Sequence, residues 1–369
     1  MVGLGCSQRS PRRGGPSRVD PPMMNHDDEA TVRNRRFSLF AWGVFGYSLL
    51  AILWGYFLRI SESGDGCGTD WPLCHGAVVP ATPHFSTFVE FTHRLSSGLV
   101  LLLVLAMAVW AFRAFPRGAA VRKAAGASLL FTVSESLFGA VLVVFGWVAT
   151  DVSTGRILIR PVHVTNTFLL MAALILTAWW ASRGTSRVPS LRSDRVRLLL
   201  PGVLGTLALA WTGAWTGLAT TAFPAGTVQE GVGQYLDPEH LLVSLRILHP
   251  LLAVAVVAIL VRMAFRLRAA SRDSLSPAGD GRWGPHEGWV WKLSTIVAAL
   301  AAVQLLAGPL TILLGNPPAG RLGHLLLADL LWVTLVVLAA EAMEGEEGSP
   351  QSMTKDVSGS SARTKPARI

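Results

Sequence analysis

The sequence predicts an all-α membrane protein with eight transmembrane helices, arranged as two pseudo-symmetric four-helix bundles in the same membrane orientation. Composition is the first observation, since 51% of the 369 residues are hydrophobic and only 15% are charged, with a mean hydropathy of +0.45. Soluble domains carry about 25% charged residues. The second observation is that long apolar runs recur along the chain, and the third is that later runs repeat features of earlier ones.

The apolar runs supply the predicted spans. A scan for stretches of about 20 residues finds eight of them. The second and the sixth carry His or Arg near one end, so their boundaries are the least sharp. The predicted spans lie near residues 37–60, 86–112, 124–149, 159–181, 197–220, 240–265, 288–315 and 321–341.

The net charge is +9, and the basic residues that produce it are unevenly distributed among the loops. Basic residues gather within 33–36, 113–123, 183–197 and 262–272, whereas the other loops contain acids. By the positive-inside rule, both termini and the even-numbered loops face the cytoplasm. The orientation of the chain in the membrane therefore accounts for the positive charge, which argues against nucleic-acid binding.

The same pattern predicts the domain organisation. Residues 1–36 contain no apolar run typical of a signal peptide, and both ends of the chain are polar. The predicted order is a disordered cytoplasmic tail at 1–36, an N-terminal bundle at 37–182, a cytoplasmic linker at 183–196, a C-terminal bundle at 197–341 and a second disordered tail at 342–369.

Two of the three cysteines lie in the first outer loop. Cys67 and Cys74 occur in "GCGTDWPLCHG", just after the first span. Disulfides persist on the outer face of a cell membrane, so a bridge is expected there. Two interpretations stay open: a staple that orders the entry to the second span, or a redox role. Cys6, in the cytoplasmic tail, has no assigned role.

An internal repeat relates the two halves of the chain. Features follow in the same order in spans two to four and in spans six to eight, so the copies share one membrane orientation. The equivalent residues are Glu90 and His93 with Arg246 and His249, Glu135 and Gly139 with Gln304 and Gly308, and His163 with His324.

The four repeated histidines are the candidate ligands. Each lies on a span that enters from the outer face, and facing helices of a four-helix bundle commonly build cofactor sites. Two imidazoles can supply both axial ligands of a haem iron. Zinc or di-iron sites need more ligands, usually with carboxylates, so haem is favoured. Solvated or capping roles are predicted for the remaining histidines, His26, His75, His84, His240 and His286.

The two predicted sites differ in charge. Glu90 precedes His93 by three residues, and Arg246 holds the same place before His249. A carboxylate beside iron can move protons, whereas an arginine would pair a haem propionate. One site is therefore equipped for chemistry and the other for holding a redox cofactor. The alternative for Glu90 is a salt bridge with Arg94. For Glu135 only a helix-packing hydrogen bond is predicted.

Residues 37–341 resemble the haem A synthase family, in its cysteine-loop-bearing bacterial type. The cysteine loop, the "EFTHR" of span two and one histidine in each even-numbered span carry the resemblance. It implies that His93 and His163 hold the substrate haem with Glu90 as the catalytic carboxylate, and that His249 and His324 are the axial pair of a haem b cofactor, with Arg246 beside them. It also implies a Cys67–Cys74 disulfide.

The resemblance further implies an activity and a location. The family oxidises a methyl group of haem O to a formyl group, giving haem A for cytochrome oxidases, and it does so in the bacterial cell membrane. A haem O synthase would supply the substrate, and a homo-oligomer stays open. The chain departs from the family in two places: the outer loop of the second half lacks a cysteine pair, and "RISESG" replaces the usual Arg-x-Thr-Gly-Ser-Gly.

Two rival functions remain at this point. A b-type cytochrome with paired histidines would pass electrons without modifying haem, and it accounts for the histidines but not for Glu90 or the unequal halves. A transporter that uses histidine as a proton relay would need matched broken spans. The prolines of the spans form no such matched pair, so this function ranks last.

Overall fold

A computed structural model describes residues 26–81, 84–185, 188–190, 194–273 and 286–347. Within these ranges the chain is helical, and no β-strand is present beyond one isolated bridge between Cys74 and Ala77. The helices are α1 (His26–Ile60), α2 (Phe85–Ala114), α3 (Ala120–Val144), α4 (Thr154–Arg183), α5 (Asp194–Ala222), α6 (Val228–Leu236), α7 (Leu241–Leu245), α8 (Leu248–Asp273), α9 (Glu287–Leu313) and α10 (Pro318–Glu347).

Eight membrane spans are present among the described residues, as the sequence predicted. Helices α7 and α8 together form the sixth span. In the third and seventh spans only 11% of the most apolar window is buried within the protein. Large side chains such as Leu130 and Leu306 are therefore exposed on the helix surface. An apolar surface of this kind requires lipid as its solvent.

The helix ends differ from the predicted boundaries. Helix α1 begins at His26, so the segment 26–36, expected to be disordered, is helical, and α10 continues to Glu347. These ends continue helices whose apolar parts lie in the membrane. Residues 1–25 and 348–369 lie outside the described residues.

The sixth span and the loop before it also differ from prediction. The span is interrupted by a turn at Arg246 and Ile247, because Pro250 has no backbone N–H to donate to the Arg246 carbonyl group and its ring crowds that carbonyl. The loop contains the short helix α6, which begins where the hydroxyl of Thr227 accepts a hydrogen bond from the Glu230 amide.

The helices pack as two closed rings of four. In the first bundle α1 contacts α2, α2 contacts α3, α3 contacts α4 and α4 contacts α1. The second bundle repeats this order with α5, α8, α9 and α10. Helix α4 contacts α5 and α10, and α1 contacts α10, so these four helices join the bundles. The bundle arrangement predicted from the internal repeat is confirmed.

Polar contacts join the bundles at the end opposite the disulfide loop. Glu341 of α10 is fully buried and accepts hydrogen bonds from Trp179 (2.8 Å) and from Arg183 (3.3 Å) of α4. His286, at the start of α9, lies 2.9 Å from the same carboxylate. His286, Glu341 and Glu344 offer three ligand atoms within 4.8 Å of one another, but Glu341 is already engaged by the groups of α4.

Candidate functional site

The histidine pair of the second bundle lies between α8 and α10. The ring centres of His249 and His324 are 6.5 Å apart, and the ring planes are inclined by 81°. A bond between a first-row metal and an imidazole nitrogen is about 2 Å long, so two rings on opposite sides of one metal ion have centres about 6 to 6.5 Å apart. This pair therefore fits the axial ligation of one iron.

The ring nitrogens of this pair are only partly engaged. His249 Nδ1 lies 3.2 Å from the Thr212 hydroxyl of α5. His324 Nε2 lies 3.3 Å from the side-chain amide nitrogen of Gln304, which also donates to the His324 carbonyl at 3.0 Å. His324 Nδ1 is buried without a hydrogen-bond partner. An unpartnered buried nitrogen is a group that a ligand completes.

The first bundle also carries two histidines on facing helices. His93 comes from α2 and His163 from α4, and each residue is half-buried. His93 Nδ1 is buried without a hydrogen-bond partner among the described residues. His163 Nε2 lies 2.9 Å from Glu135 Oε1.

Each histidine ring packs beside a glycine from the neighbouring helix. A Cβ atom added at Gly55 would lie 2.8 Å from His93 Cε1, and one at Gly213 would lie 3.1 Å from His249 Cε1. The other two histidines have the corresponding neighbours, with His163 beside Gly139 at 4.0 Å and His324 beside Gly308 at 3.4 Å. At Gly55 and Gly213 the absence of a side chain makes room for the ring, whereas a Cβ at Gly139 or Gly308 would be in ordinary van der Waals contact.

Glu135 has a fuller environment than the sequence indicated. Besides His163 it accepts hydrogen bonds from Asn166 (2.6 Å) and Thr167 (2.5 Å) of α4. The predicted helix-packing bond is present, and the contact with the candidate ligand His163 is additional. Gln304 makes the equivalent contact in the second bundle, which the repeat implied but did not show.

Glu90 is held at the inner side of the cysteine loop. Its side chain is only 2% exposed. Oε2 accepts a hydrogen bond from the Cys67 backbone amide at 2.8 Å, and Oε1 accepts from Arg94 Nη2 at 2.6 Å. The salt bridge with Arg94 that the sequence allowed is therefore present, and the loop backbone is a second partner. Both contacts stabilise the ionised carboxylate.

The cysteine loop is closed by a disulfide between Cys67 and Cys74. Arg94 reaches into the loop and donates to the carbonyl groups of Asp70 (2.6 Å) and Leu73. At Gly66 the loop approaches α2 so closely that a Cβ atom would lie 2.3 Å from the Ser86 carbonyl carbon. The loop is thus a stapled cap that is fastened to α2 and to Glu90.

Arg246 is already engaged by the protein at two of its nitrogens. Nη1 donates to the Gln234 side chain at 2.7 Å, and Nη2 donates to the carbonyl groups of Ala219 and of Phe223, the latter at 2.6 Å. Nε is buried without a hydrogen-bond partner. The pairing of Arg246 with a haem propionate stays a prediction, for which Nε–H and the second N–H of Nη1 remain available.

The remaining histidines are held by local contacts where the structure describes them. His240 caps α7 by accepting a hydrogen bond from the Leu242 amide at 3.1 Å, as predicted. His84 is exposed at the start of α2 without a side-chain cap bond. His75 contacts the Gly66 carbonyl at 2.9 Å. His286, for which a solvated or capping role was predicted, contacts the Glu341 carboxylate at 2.9 Å. The side chain of His26 lies outside the described residues.

Four arginines near the histidines were not predicted as site residues, two of them buried (Arg156 and Arg160) and two partly buried (Arg59 and Arg321). Arg156 and Arg160 lie on α4, Arg321 on α10, and Arg59 in the last turn of α1. A signal was available, because Arg160 and Arg321 each stand three residues before a histidine of the repeat. That spacing places an arginine and a histidine on one helix face.

Fold and site together define a class: a duplicated eight-helix membrane protein in which each bundle carries a pair of histidines from facing helices. The chain belongs to the COX15-CtaA family of cytochrome oxidase assembly proteins, whose family model matches residues 38–336.

Named relatives are similar over parts of their length. The protein named "Protoheme IX farnesyltransferase" from Thermus thermophilus is 42% identical over 311 residues, which cover 84% of this chain and 49% of the relative. The protein named "Heme A synthase" from Exiguobacterium sibiricum is 33% identical over 184 residues, 49% of this chain and 59% of the relative. A "Heme A synthase" from Halalkalibacterium halodurans is 38% identical over 98 residues, 27% of this chain and 33% of the relative. The matches span about half the length of the first two relatives.

Proposed function

We propose that this chain is a membrane haem A synthase, which oxidises a methyl group of haem O to a formyl group to give haem A for cytochrome oxidase. The observation that carries the proposal is the inequality of two otherwise equivalent sites. Glu90 is buried one helical turn from His93, whereas Arg246 stands at the equivalent position of the second bundle. Family membership and the relatives named "Heme A synthase" support the same activity.

In this proposal the two bundles bind different haems and have different roles. The bundle at 37–182 holds haem O between His93 and His163, and the bundle at 197–341 holds haem b between His249 and His324. Iron in these porphyrins supplies the oxidative chemistry, which side chains alone cannot perform. His249 and His324 would hold haem b, which would supply electron transfer.

The chain's own residues provide position and a proton site. Glu90 offers a carboxylate whose two oxygens are fixed by Cys67 and Arg94, so its position does not depend on substrate. It can hold or release a proton beside the reacting methyl group. The disulfide loop covers this end of the bundle and limits the entry of water. Arg246, through Nε, would contact a propionate of haem b.

The relative from Thermus bears the name of a transferase, but about half of that protein lies outside the match. Its name therefore does not assign farnesyl transfer to this chain. Farnesylated haem is haem O, so a haem O synthase is the expected supplier of the substrate, either as a separate chain or as part of a longer one.

The proposal also includes an orientation. The charge distribution puts both termini in the cytoplasm of a bacterial cell and the disulfide loop on the outer face. A cysteine substituted for the exposed Val78 should react with a membrane-impermeant maleimide in intact cells. A cysteine substituted for the exposed Arg117, in the next loop, should react only after permeabilisation. The reverse pattern would contradict the orientation.

The activity is tested by expressing the full chain in cells that make haem O but lack their own haem A synthase. Extracted pigments are separated by chromatography. Haem A should appear with the wild-type chain, and His93→Ala should abolish it while haem b is retained. His249→Ala should instead lose haem b. His84→Ala is the matched control, because that ring is exposed and makes no cap bond.

The outcomes separate the proposal from a cytochrome that only transfers electrons. Purified protein that contains haem b, in cells that form no haem A, would indicate the electron carrier. If His93→Ala and His249→Ala alter haem content in the same way, the division of labour between the bundles is wrong.

A further inference from the structure

Positive charge collects between the two bundles at the disulfide end, on one buried arginine and two partly buried ones. Arg59 ends α1, Arg160 lies near the start of α4, and Arg321 lies near the start of α10. All three line one face of α5. A Cβ atom at Gly217 would lie 3.4 Å from Arg59 Nη2 and 3.7 Å from Arg160 Nη2, so these two nitrogens are within about 7 Å of each other. Arg321 Nη2 donates to Thr221 of the same helix at 3.3 Å.

Arg160 has no hydrogen-bond partner in the part of the chain that the structure describes. Its residue is 4% exposed, and all three guanidinium nitrogens are buried without a partner. Arg59 Nε is in the same condition. The neighbouring Arg156 differs, because its Nη1 donates to the carbonyl groups of Val148 (2.9 Å) and Asp151 (2.7 Å). Arg160 is therefore oriented toward a partner that the chain does not provide.

Counter-charge from the chain is incomplete at this place. Asp151 lies near Arg156 and Glu62 lies near Arg321. Among the described residues, however, none of Arg59, Arg156, Arg160 and Arg321 forms an ion pair with a carboxylate. The buried Asp329, further along α10, makes no ion pair with them either. Unpaired buried charge is costly, so an anion is expected to complete the cluster.

The internal repeat shows how the cluster is built. Arg160 and Arg321 are equivalent, since each stands three residues before the second histidine of its bundle. Arg59 and Gly217 are also equivalent, four residues after Gly55 and Gly213. The second copy therefore has a glycine where the first has an arginine. That exchange makes room at α5 for both Arg59 and Arg160.

We propose that Arg59, Arg160 and Arg321 form one carboxylate-binding site, which receives propionate groups of the tetrapyrroles held by the two histidine pairs. This inference rests on the proposed function. Arg160 lies one helical turn from His163 and Arg321 one turn from His324, both toward the same end of the bundles. Guanidinium groups bind carboxylates with two parallel hydrogen bonds. The site ties both porphyrins to the interface between the bundles.

The probes are protohaem IX and its dimethyl ester, which share ring and iron but differ in the propionate charges. The purified full-length chain in uncharged detergent is titrated with each, and binding is followed by Soret absorbance. The wild-type chain should bind protohaem IX about tenfold or more tightly than the ester. Arg160→Gln and Arg321→Gln should each weaken protohaem IX binding about tenfold at one site, without weakening ester binding.

Controls keep the test decisive. Arg113→Gln removes an exposed arginine at the opposite end and should change neither affinity. Gel filtration and circular dichroism establish folding. If Arg160→Gln does not fold, Arg160→Lys and Arg321→Gln carry the test, and the lysine variant should keep part of the preference for protohaem IX.

Three results would overturn the inference, and the third of them would also contradict the proposed function. Equal binding of protohaem IX and ester by the wild-type chain, with variants unchanged, would refute the carboxylate site and leave the proposed function intact. Loss of co-purifying anionic phospholipid from the variants, with porphyrin binding unchanged, would assign the cluster to lipid. Failure of the wild-type chain to bind either porphyrin would contradict the proposed function itself.

Discussion

Glu90 and Arg246 occupy equivalent positions, three residues before a histidine, and their surroundings explain why they differ. Glu90 is fastened by an arginine and by a loop amide, so a negative charge is stabilised beside the first bundle's interior. Arg246 instead fastens the end of α5 to α6 through Gln234 and the carbonyl groups of Ala219 and Phe223. The same position of the repeat thus holds a buried carboxylate in one half and attaches a loop in the other.

Replacing Glu90 by Gln should lower haem A formation by about a hundredfold or more, because an amide cannot exchange a proton as a carboxylate does. The shape of the side chain is nearly preserved, so the haem b content of the purified protein should not change. Pigment chromatography and the haem b absorbance measure the two quantities.

The control for this substitution is Glu239→Gln, at an exposed position of the loop before α7. Haem A formation by Glu90→Gln at the wild-type rate would refute a catalytic role and leave Glu90 as the anchor of the cysteine loop.

Glycines set the approach of the helices at each histidine. Gly55 of α1 faces His93, and Gly213 of α5 faces His249, at the same level of the two bundles. Small residues let helices approach closely within a membrane. Here the glycines bring the helices close to the histidine rings, because each imidazole occupies the space that a side chain at the glycine would take. The first helix of each bundle therefore positions the first histidine of that bundle.

Substituting Ala for Gly55 should lower haem A formation about tenfold or more, because the new Cβ would lie 2.8 Å from His93 Cε1 and displace the ring. Haem b content should stay unchanged. Gly213→Ala should have the opposite pattern and lower haem b content.

Gly98→Ala is the matched control, since that glycine lies within α2 and a Cβ there meets nothing within 4 Å. The same defect in Gly55→Ala and Gly98→Ala would indicate a general effect of alanine on the helices instead of a local effect on the ring.

The disulfide loop acts on Glu90 through its backbone. Replacing both Cys67 and Cys74 by Ser opens the loop that presents the Cys67 amide to the carboxylate. Haem A formation should fall several-fold, on the order of the loss of one charge-assisted hydrogen bond, while haem b content stays unchanged. Cys6→Ser is the control, and thiol labelling before and after reduction reports the bridge. Wild-type haem A output from the double variant would show that the loop does not position Glu90.

At the scale of the whole molecule, charged residues lie at both ends of the interface between the two bundles. The arginine cluster lies at the disulfide end, and the Glu341 cluster lies at the opposite end. Between them, Trp332 of α10 donates to the Phe168 carbonyl of α4 at 2.7 Å. These contacts fix the relative positions of α4 and α10, the helices that carry the second histidine of each bundle.

Replacing Glu341 by Leu should lower the free energy of unfolding by about 3 to 5 kcal/mol, because a fully buried carboxylate that serves Trp179, Arg183 and His286 is removed. Unfolding of the full-length chain in mixed detergent micelles, followed by tryptophan fluorescence, measures the change. Glu239→Leu, at an exposed position, should cost much less. Equal losses in both variants would mean that the cluster does not hold the bundles together.

The sequence by itself determined the number of spans, their repeat and the four candidate ligands. Hydropathy is a property of a continuous segment, and each histidine recurs in order within a span, so these features are readable along one dimension. The break in the sixth span was missed, although Pro250 signals it, because the apolar run continues across the turn. Helix α6 was missed because it is short and lies within a loop. The helical segments 26–36 and 342–347 were missed because their polar residues resemble those of a tail.

Only the tertiary structure decided which side chains meet. A helix that is apolar on nearly every face carries no periodicity to show which face turns inward, so the sequence could not pair Glu135 with His163 or Gln304 with His324. It could not place the Cys67 amide on Glu90, although both residues were singled out. The sequence could not predict the arginine cluster either, because Arg59, Arg160 and Arg321 come from three helices and meet beside a fourth, α5. Contacts of this kind arise when bundles pack, and packing is a property of surfaces in three dimensions.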